Sequence, residues 1–364
     1  MPEAAATILP PTTVERFRSA KYFPALDGLR CVSIAAVIWH HCTPRPLEGI
    51  LGRGHLGVRL FFCISGLLIT TLLLREQRTT GSINLLKFWK RRTLRIFPLY
   101  YSVLLGFVAF ALSMPGTSPV RQHFLANLPF FASHTSNWFI NYNVPHPVLF
   151  AFAWSLSTEE QFYLCLPLVV RQLTSRVSLA LFIAALIVID QLAERRMLAP
   201  LLPPHSHAEV VITSFVASIG FGALLAVVLD DERGFRWLGA FLSHRLSVAG
   251  LLGLVVLWLM RFPPHFVMFE AALALFVTAC ALCTNSRIVR ALSAAPLCHI
   301  GRVSYGMCLF HVPVIGALKA AVPSITKQPA ALFPLAMIAT TLLATVSHRY
   351  FESWFLSKRP LVIA

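Results

Sequence analysis

Charged residues are scarce in this chain of 364 residues, and acidic residues are the scarcest of them. Only 13 % of the residues are charged, with 15 Asp and Glu against 31 Lys and Arg, while 57 % are hydrophobic and the mean hydropathy is +0.70. So apolar a composition excludes a water-soluble globular enzyme. It also excludes a disordered or nucleic-acid-binding protein, because such chains need enough polar surface to stay solvated. We therefore attribute the net charge of +16 to contact with a membrane.

The sequence also lacks the patterns of a disulfide-bonded, metal-dependent or secreted protein. Most of its 8 cysteines lie in apolar runs, where a thiol behaves as a small hydrophobe. Cys280 and Cys283, followed by Cys298, have metal-like spacing, but no second C-x-x-C follows and helix packing explains them better. The first 22 residues contain no apolar core as long as that of a signal peptide. We expect no disulfide framework, no metal and no cleaved leader.

Ten stretches are long and apolar enough to cross a bilayer, which requires about 20 residues. They predict an all-α integral membrane protein, a bundle of about ten transmembrane helices. The seventh and eighth spans are separated only by a turn at Pro263 and Pro264 and could instead form one kinked element. The predicted spans are 27–43, 55–74, 97–114, 147–170, 178–192, 210–229, 246–262, 265–283, 301–322 and 329–351.

Ten spans place both termini on one side of the membrane. Most of the 31 Lys and Arg residues fall on that side, and cytoplasmic segments are enriched in them. We therefore predict a cytoplasmic arm over 1–26, a transmembrane domain over 27–356 and a cytoplasmic tail over 357–364. The longest connection, 115–146, is predicted to lie outside as a cap over the bundle. The sequence shows no internal repeat, and we expect no appended soluble domain.

Three titratable residues in separate spans are expected at membrane depth. His41, Glu160 and His311 each lie about 13–16 Å, at about 1.5 Å per residue, from a basic residue at the inner end of their own span. Ionisable groups at this depth are costly and usually line a cavity. Structural alternatives are an interfacial position for His41 and its neighbour His40, a buried ion pair for one of two adjacent glutamates, and packing for His311. Asp190 and Glu270, near outer span ends, are expected to reach water.

A basic amphipathic segment, 84–98, precedes the third predicted span. Its apolar side chains alternate with Lys and Arg as in an interfacial helix, which favours binding to anionic lipid. Arg92 and Arg95 lie three positions apart on one face, and paired guanidinium groups suit bidentate phosphate binding. The segment therefore predicts either lipid attraction or a docking site for a phosphorylated ligand.

Five motifs follow one another along the chain in a specific order. They are YFPALDGLR at 22–30 with His41 beyond it, GVRLFFCISG at 57–66, RRTLRIFPLY at 91–100, WSLSTEEQFY at 154–163 and SYGMCLFH at 304–311. Together they resemble the acyltransferase 3 family of bacterial integral-membrane O-acyltransferases, over about 22–360. That family acylates saccharides, cell-envelope polymers and some secondary metabolites. The resemblance implies ten spans in the bacterial inner membrane, cytoplasmic termini and an acyl-CoA donor that enters from the cytoplasm.

The resemblance also implies roles for particular residues. His41, rather than His40, matches the family's catalytic histidine, and Glu160 matches its functional glutamate. Many members carry Asp where this chain has Arg59, so no role is carried over to that position. Many also continue into an SGNH-type hydrolase domain, whereas this sequence ends at 364, so we expect the bundle itself to complete the transfer. The arginines expected to bind the donor are Arg30, Arg92 and Arg95.

The resulting hypothesis is an O-acyltransferase that moves an acyl group, acetyl in the first instance, from acyl-CoA to a hydroxyl of a saccharide or related acceptor. His41 is the predicted general base, oriented by Glu160, and an acyl-imidazole on His41 is an open alternative. The competing hypothesis is a proton-coupled transporter of a small polar solute or glycan. It predicts repeat symmetry, which the sequence lacks. Accessory candidates are Glu159, His311, Tyr305 and Ser157.

Overall fold

The computed structural model describes residues 14–20, 22–43, 49–198, 206–261 and 267–360. Over these ranges all regular structure is helical. The ten longer helices are α1 (Pro24–Cys42), α2 (Gly57–Thr80), α3 (Leu85–Ser113), α4 (Ala153–Gln172), α5 (Arg176–Glu194), α6 (Ala217–Asp230), α7 (Arg245–Arg261), α8 (Val267–Leu282), α9 (Ala295–Ala321) and α10 (Pro329–Ser347). The shorter helical segments are Val14–Ser19, Ile50–Leu56, Pro119–Ala126, Leu128–Ala132, Ser136–Phe139, His207–Thr213, Glu232–Gly234, Phe235–Gly239, Ala240–Leu242, Arg287–Leu292, Pro323–Lys327, His348–Glu352 and Ser353–Leu356.

Each predicted span falls on one of these ten helices, but fewer than ten qualify as spans by length and composition. Five helical stretches in the described ranges do: Ile50–Thr80, Leu85–Ser113, Arg176–Glu194, Ala295–Ala321 and Pro329–Leu356. Two bent pairs raise the number to 7: His207–Thr213 with Ala217–Asp230 at 45°, and Glu232–Leu242 with Arg245–Arg261 at 76°. The structure thus shows an all-helical bundle able to cross a membrane several times. It does not confirm a count of ten.

α1 and α4 are long enough to span a bilayer but do not qualify, at 19 and 20 residues. Both carry polar and ionisable side chains along their length, including His41 on α1 and Glu160 on α4. Such side chains lower the hydropathy of a helix and are costly in contact with lipid. The polar groups of these two helices meet inside the bundle, around one cavity.

The basic segment 84–98 is continuous with the third predicted span. It forms the first half of α3, a helix of 29 residues that continues through Pro98. Asn84 caps the helix by accepting a hydrogen bond from the Lys87 amide at 3.0 Å. A proline inside a helix costs about 3 kcal/mol, and burial of the adjoining Leu99 and Tyr100, 3 % and 0 % exposed, offsets that cost.

Glycines allow the central helices to approach closely. A Cβ on Gly301 of α9 would overlap the carbonyl of Asp27 on α1, and one on Gly66 of α2 would overlap the carbonyl of Ile219 on α6. Small residues are the usual means by which membrane helices bring their backbones into contact. α1 and α9 also touch further along, where His41 and His311 meet. Both contacts follow the chain direction, so the two helices run parallel.

At the end of the bundle that carries the N-terminal residues, three arginines contact one aspartate, Asp230. Asp230 at the end of α6 forms ion pairs with Arg78 at 2.6 Å and Arg176 at 2.7 Å. Arg18 donates to the backbone carbonyl of Asp230, and Phe17 beside it is buried in the core. The described part of the predicted arm is therefore docked on the bundle. The predicted turn at 263–264, residues 1–13 and residues 361–364 lie outside the described ranges.

Replacement of Gly301 by Ala is expected to destabilise the bundle. The added Cβ has no room against the Asp27 carbonyl, and such overpacking costs about 1–3 kcal/mol. The measurement is the thermal unfolding midpoint of detergent-purified protein. Gly106→Ala on α3 is the matched control, because that glycine has no neighbour in reach and Ala favours helix. An equal midpoint for the two variants would contradict the proposed close contact.

Candidate functional site

A cavity of about 480 Å³ lies among α1, α2, α3, α4 and α9. It brings together eight of the nine residues that the sequence predicted for the site. Its ionisable lining residues are Arg30, His40, His41, His55, Arg92, Arg95, Tyr142, Glu159, Glu160, Tyr163, Tyr305, Cys308 and His311. The three spans predicted to deliver titratable groups to one layer therefore do meet around one cavity.

Imidazole rings occupy one end of the cavity. The rings of His41 and His311 are in contact, with centroids 4.8 Å apart and planes at 61°. The ring centroid of His40 lies 5.5 Å from that of His41, and the ring centroid of His55 lies 5.4 Å from that of His40. Adjacent residues on a helix point about 100° apart, yet His40 and His41 both reach the cavity wall. The sequence offered no signal for His55, which lies in a short segment ahead of α2.

His311 is the most deeply buried of these histidines, with no exposed surface. Its Nδ1 lies 2.6 Å from the carbonyl oxygen of Cys308. A carbonyl can only accept, so Nδ1 carries the proton and Nε2 is left as an acceptor. Nε2 is itself buried and has no hydrogen-bond partner among the described residues.

The two glutamates of α4 have different surroundings. Glu159 Oε1 accepts a hydrogen bond from the Ser65 hydroxyl at 2.5 Å, and Ser65 accepts one from the Tyr163 hydroxyl at 3.2 Å. This chain ties α4 to α2 and holds Glu159 in place. Glu160 lines the cavity beside it. The sequence offered a buried ion pair with an arginine as an alternative for one of the two glutamates. For Glu159 the structure shows a hydrogen bond from the Ser65 hydroxyl in that place.

Guanidinium groups gather at the other end. Arg30 pairs with Asp27 at 3.3 Å, and Asp27 also accepts a hydrogen bond from Tyr22 at 2.7 Å. Arg92 lies over the ring of Tyr163, 5.5 Å from its centroid, in a cation–π contact. Arg95 lines the same wall. Arg30 and His41 are eleven positions apart on α1, about 16 Å at the helical rise, so the cavity joins a cationic end to an imidazole end.

Two accessory candidates have hydroxyls committed elsewhere. Tyr305 lines the cavity, but its hydroxyl donates to the Ile96 carbonyl at 2.8 Å and ties α9 to α3. Ser157 is fully buried against Ser136, with 2.9 Å between the hydroxyl oxygens, and is not among the lining residues of the described chain. The neighbouring Ser155 faces the cavity instead.

Asp190 and Glu270 do not reach water, which corrects the expectation for both. Their exposed fractions are 1 % and 2 %. Glu270 on α8 forms an ion pair with Arg59 on α2, and the Asp190 side chain accepts a hydrogen bond from Gln191 at 3.2 Å. Arg59, to which the resemblance carried over no role, is thus accompanied by a carboxylate on the facing helix.

Part of the predicted outer cap does reach the cavity. Segment 115–146 forms three short helices, and its Tyr142 contributes to the lining. The segment is fastened to α4 by Gln161, whose amide donates to Asn137 at 2.8 Å and to the His134 carbonyl at 2.9 Å. Trp154, half exposed at the start of α4, lines the cavity as well. Apolar and aromatic residues of this kind are too common in membrane segments to be recognised from sequence.

The sequence matches one protein family over most of its length. Residues 23–349 match the family described as "Acyltransferase domain", and the chain belongs to that family. The resemblance drawn from the five motifs is confirmed.

Among characterised sequences, the chain is similar to the O-acetyltransferase OatA of Staphylococcus aureus. It is 29 % identical over 360 residues to OatA of strain NCTC 8325 / PS 47 and, equally, of strain MRSA252. Each alignment covers 93 % of this chain and 58 % of the relative, so the chain spans little more than half the length of these relatives. No solved structure is detectably similar to it.

Acid is expected to loosen the attachment of the outer segment, which lies outside the candidate spans. His134 stacks on Phe97 with 5.2 Å between ring centroids, and burial lowers its pKa to about 4. The pKa of a histidine in an unfolded chain is about 6.5. Between pH 6.5 and 4, His134 is therefore protonated in the unfolded chain and neutral in the folded chain. Stability is therefore lost as the pH falls from 6.5 towards 4, by about 2 kcal/mol at pH 5.

The measurement is the unfolding midpoint between pH 7 and pH 5. His134→Asn should flatten its decline, because Asn does not titrate and tolerates the left-handed backbone at φ 53°. The exposed His207→Asn serves as control. The same slope in wild type and His134→Asn would refute this assignment.

Proposed function

We propose that this chain is a membrane-embedded O-acyltransferase that moves an acyl group, acetyl in the first instance, from acyl-CoA to a hydroxyl of an acceptor. The observation that carries the proposal is the single cavity joining Arg30, Arg92 and Arg95 to His41 and His311. Membership of the acyltransferase family and similarity to an O-acetyltransferase support it. A transporter would need no cationic end fitted to phosphate groups.

The donor is proposed to enter from the cytoplasm, with both termini on that side of a bacterial inner membrane and about ten passages through it. The phosphate groups of CoA would be held by Arg30, Arg92 and Arg95. Guanidinium groups bind phosphate through paired hydrogen bonds, and all three of these arginines line the same cavity. The pantetheine arm is long enough to cover the distance from these arginines to His41.

His41 is the proposed general base. It removes the proton of the acceptor hydroxyl as the oxygen bonds to the thioester carbonyl carbon; the carbon–sulfur bond breaks, and the thiolate takes up a proton to leave as CoA. Glu160, in the same cavity, is proposed to stabilise the imidazolium that forms. Glu159, fixed by Ser65, holds that wall in shape. Attack by His41 itself, giving an acyl-imidazole, leads to the same products.

The proposed acceptor is a saccharide, a cell-envelope polymer or a related hydroxyl compound. Trp154, Tyr142 and Phe152 line the cavity together with its polar groups. Aromatic faces with nearby hydrogen-bonding groups suit a ring that is apolar on its faces and carries hydroxyls at its edge. This acceptor class follows from the lining and from the family resemblance.

Detergent-purified protein is expected to release free CoA from acetyl-CoA, slowly without an acceptor. His41→Ala should reduce this release by at least about 100-fold, the usual contribution of a general base, while the thermal shift produced by CoA is kept. His299→Ala on α9 is the matched control. His299 does not line the cavity, and its Nε2 lies 3.0 Å from the Thr345 hydroxyl, within hydrogen-bond distance. Full activity in His41→Ala would exclude His41 as the base.

The proposed binding site for CoA is tested by replacing its two arginines on α3 with alanine. The double variant Arg92→Ala/Arg95→Ala should weaken CoA binding by at least about 30-fold, since each charged hydrogen bond contributes about 1.5–3 kcal/mol. Binding is measured by calorimetry or by the thermal shift. Lys87→Ala/Lys90→Ala removes the same charge from exposed positions of the same helix and should have little effect. Equal losses in both double variants would favour general attraction to the basic segment instead.

A further inference from the structure

The buried Nε2 of His311 has no hydrogen-bond partner in the part of the chain that the structure describes, and His311 lines the same cavity as the proposed base. We propose that His311 is a positioning residue for His41: its Nε2 accepts the N–H of His41, which turns the second nitrogen of His41 towards the acceptor hydroxyl. This role rests on the proposed function, because it gives His311 no chemistry of its own with the substrate.

The first support is the fixed tautomer of His311. Its Nδ1 proton is committed to the Cys308 carbonyl at 2.6 Å, so Nε2 presents a lone pair. An unsatisfied buried acceptor costs about 1–3 kcal/mol, and that cost is recovered when a donor arrives. His41 is a suitable donor because one of its two ring nitrogens carries a proton in the neutral form.

The second support is distance. A hydrogen bond of about 2.9 Å between two imidazole nitrogens leaves the ring centroids about 5 Å apart, and the centroids of His41 and His311 are 4.8 Å apart. Hydrogen bonds of this kind are often incomplete before substrate binds and tighten in the substrate complex. The contact requires His41 to turn one ring N–H towards His311 Nε2.

The third support is rigidity. Phe152 packs against His311 with 5.3 Å between ring centroids, and His311 has no exposed surface. The helices that carry the two histidines are locked by the Gly301 contact with Asp27. His311 therefore offers a fixed acceptor to the ring of His41, which is more than a third exposed.

In the proposed step the acceptor O–H proton moves to the outward nitrogen of His41 while the inward N–H stays bonded to His311 Nε2. The resulting imidazolium is held by that hydrogen bond until its new proton passes to the departing thiolate. His311 neither gains nor loses a proton over the cycle. It thus acts on orientation and on the rate of the chemical step, and not on donor binding.

Two polar substitutions separate this role from packing. In His311→Gln the amide oxygen reaches the place of Nε2 and can accept from His41, whereas in His311→Asn the shorter side chain keeps a donor near the Cys308 carbonyl but offers no acceptor at that place. We expect His311→Asn to lower kcat for CoA release from acetyl-CoA at least 30-fold, with KM for acetyl-CoA within about twofold of wild type. His311→Gln should remain within about fivefold of wild-type kcat.

His299→Asn is the control for loss of a histidine from α9, and its kcat should match wild type. Unchanged kcat in His311→Asn, or an equal loss in both His311 variants, would overturn the positioning role. A rise in KM without loss of kcat would do the same. Absence of CoA release from wild-type protein would instead refute the proposed acyltransferase function, so the two failures are distinguishable.

Discussion

Ionisable side chains cannot be left in contact with lipid, and this constraint determines which helices form the inside of the bundle. α1 and α4 carry the histidine and glutamate residues and are less apolar than the helices around them. Buried in the bundle, their polar faces meet those of α3 and α9 across one cavity. The cost of dehydrating each group is offset by its neighbours: Asp27 for Arg30, Ser65 for Glu159 and the Cys308 carbonyl for His311.

The same constraint explains why the sequence could predict so much of the site. An arginine, histidine or glutamate inside an apolar run is conspicuous, and counting residues from the basic ends of the spans is enough to assign His41, Glu160 and His311 to one layer. The five motifs then select the residues among near neighbours. The structure places His41 against His311, and the catalytic role that the motif implies for His41 stays a prediction.

What the sequence could not predict depends on contacts between distant segments. Pro98 reads as a helix boundary, and only the burial of Leu99 and Tyr100 against other helices shows why α3 continues through it. Ser157 has a residue type suited to a cavity, but its partner Ser136 comes from the outer segment. The number of spans is hard to count from hydropathy for a related reason: α1 and α4, which line the cavity, carry polar side chains and do not qualify as spans by composition.

The ion pair between Arg59 and Glu270 has a consequence for hybrid proteins. Two helices that are remote in sequence share one compensated charge. A chimaera that kept α8 from this chain and took α2 from a protein with no basic residue at this position would leave the buried Glu270 without its counter-charge in a dry interior. Segments of this chain therefore keep their compensation only when α2 and α8 are transferred together.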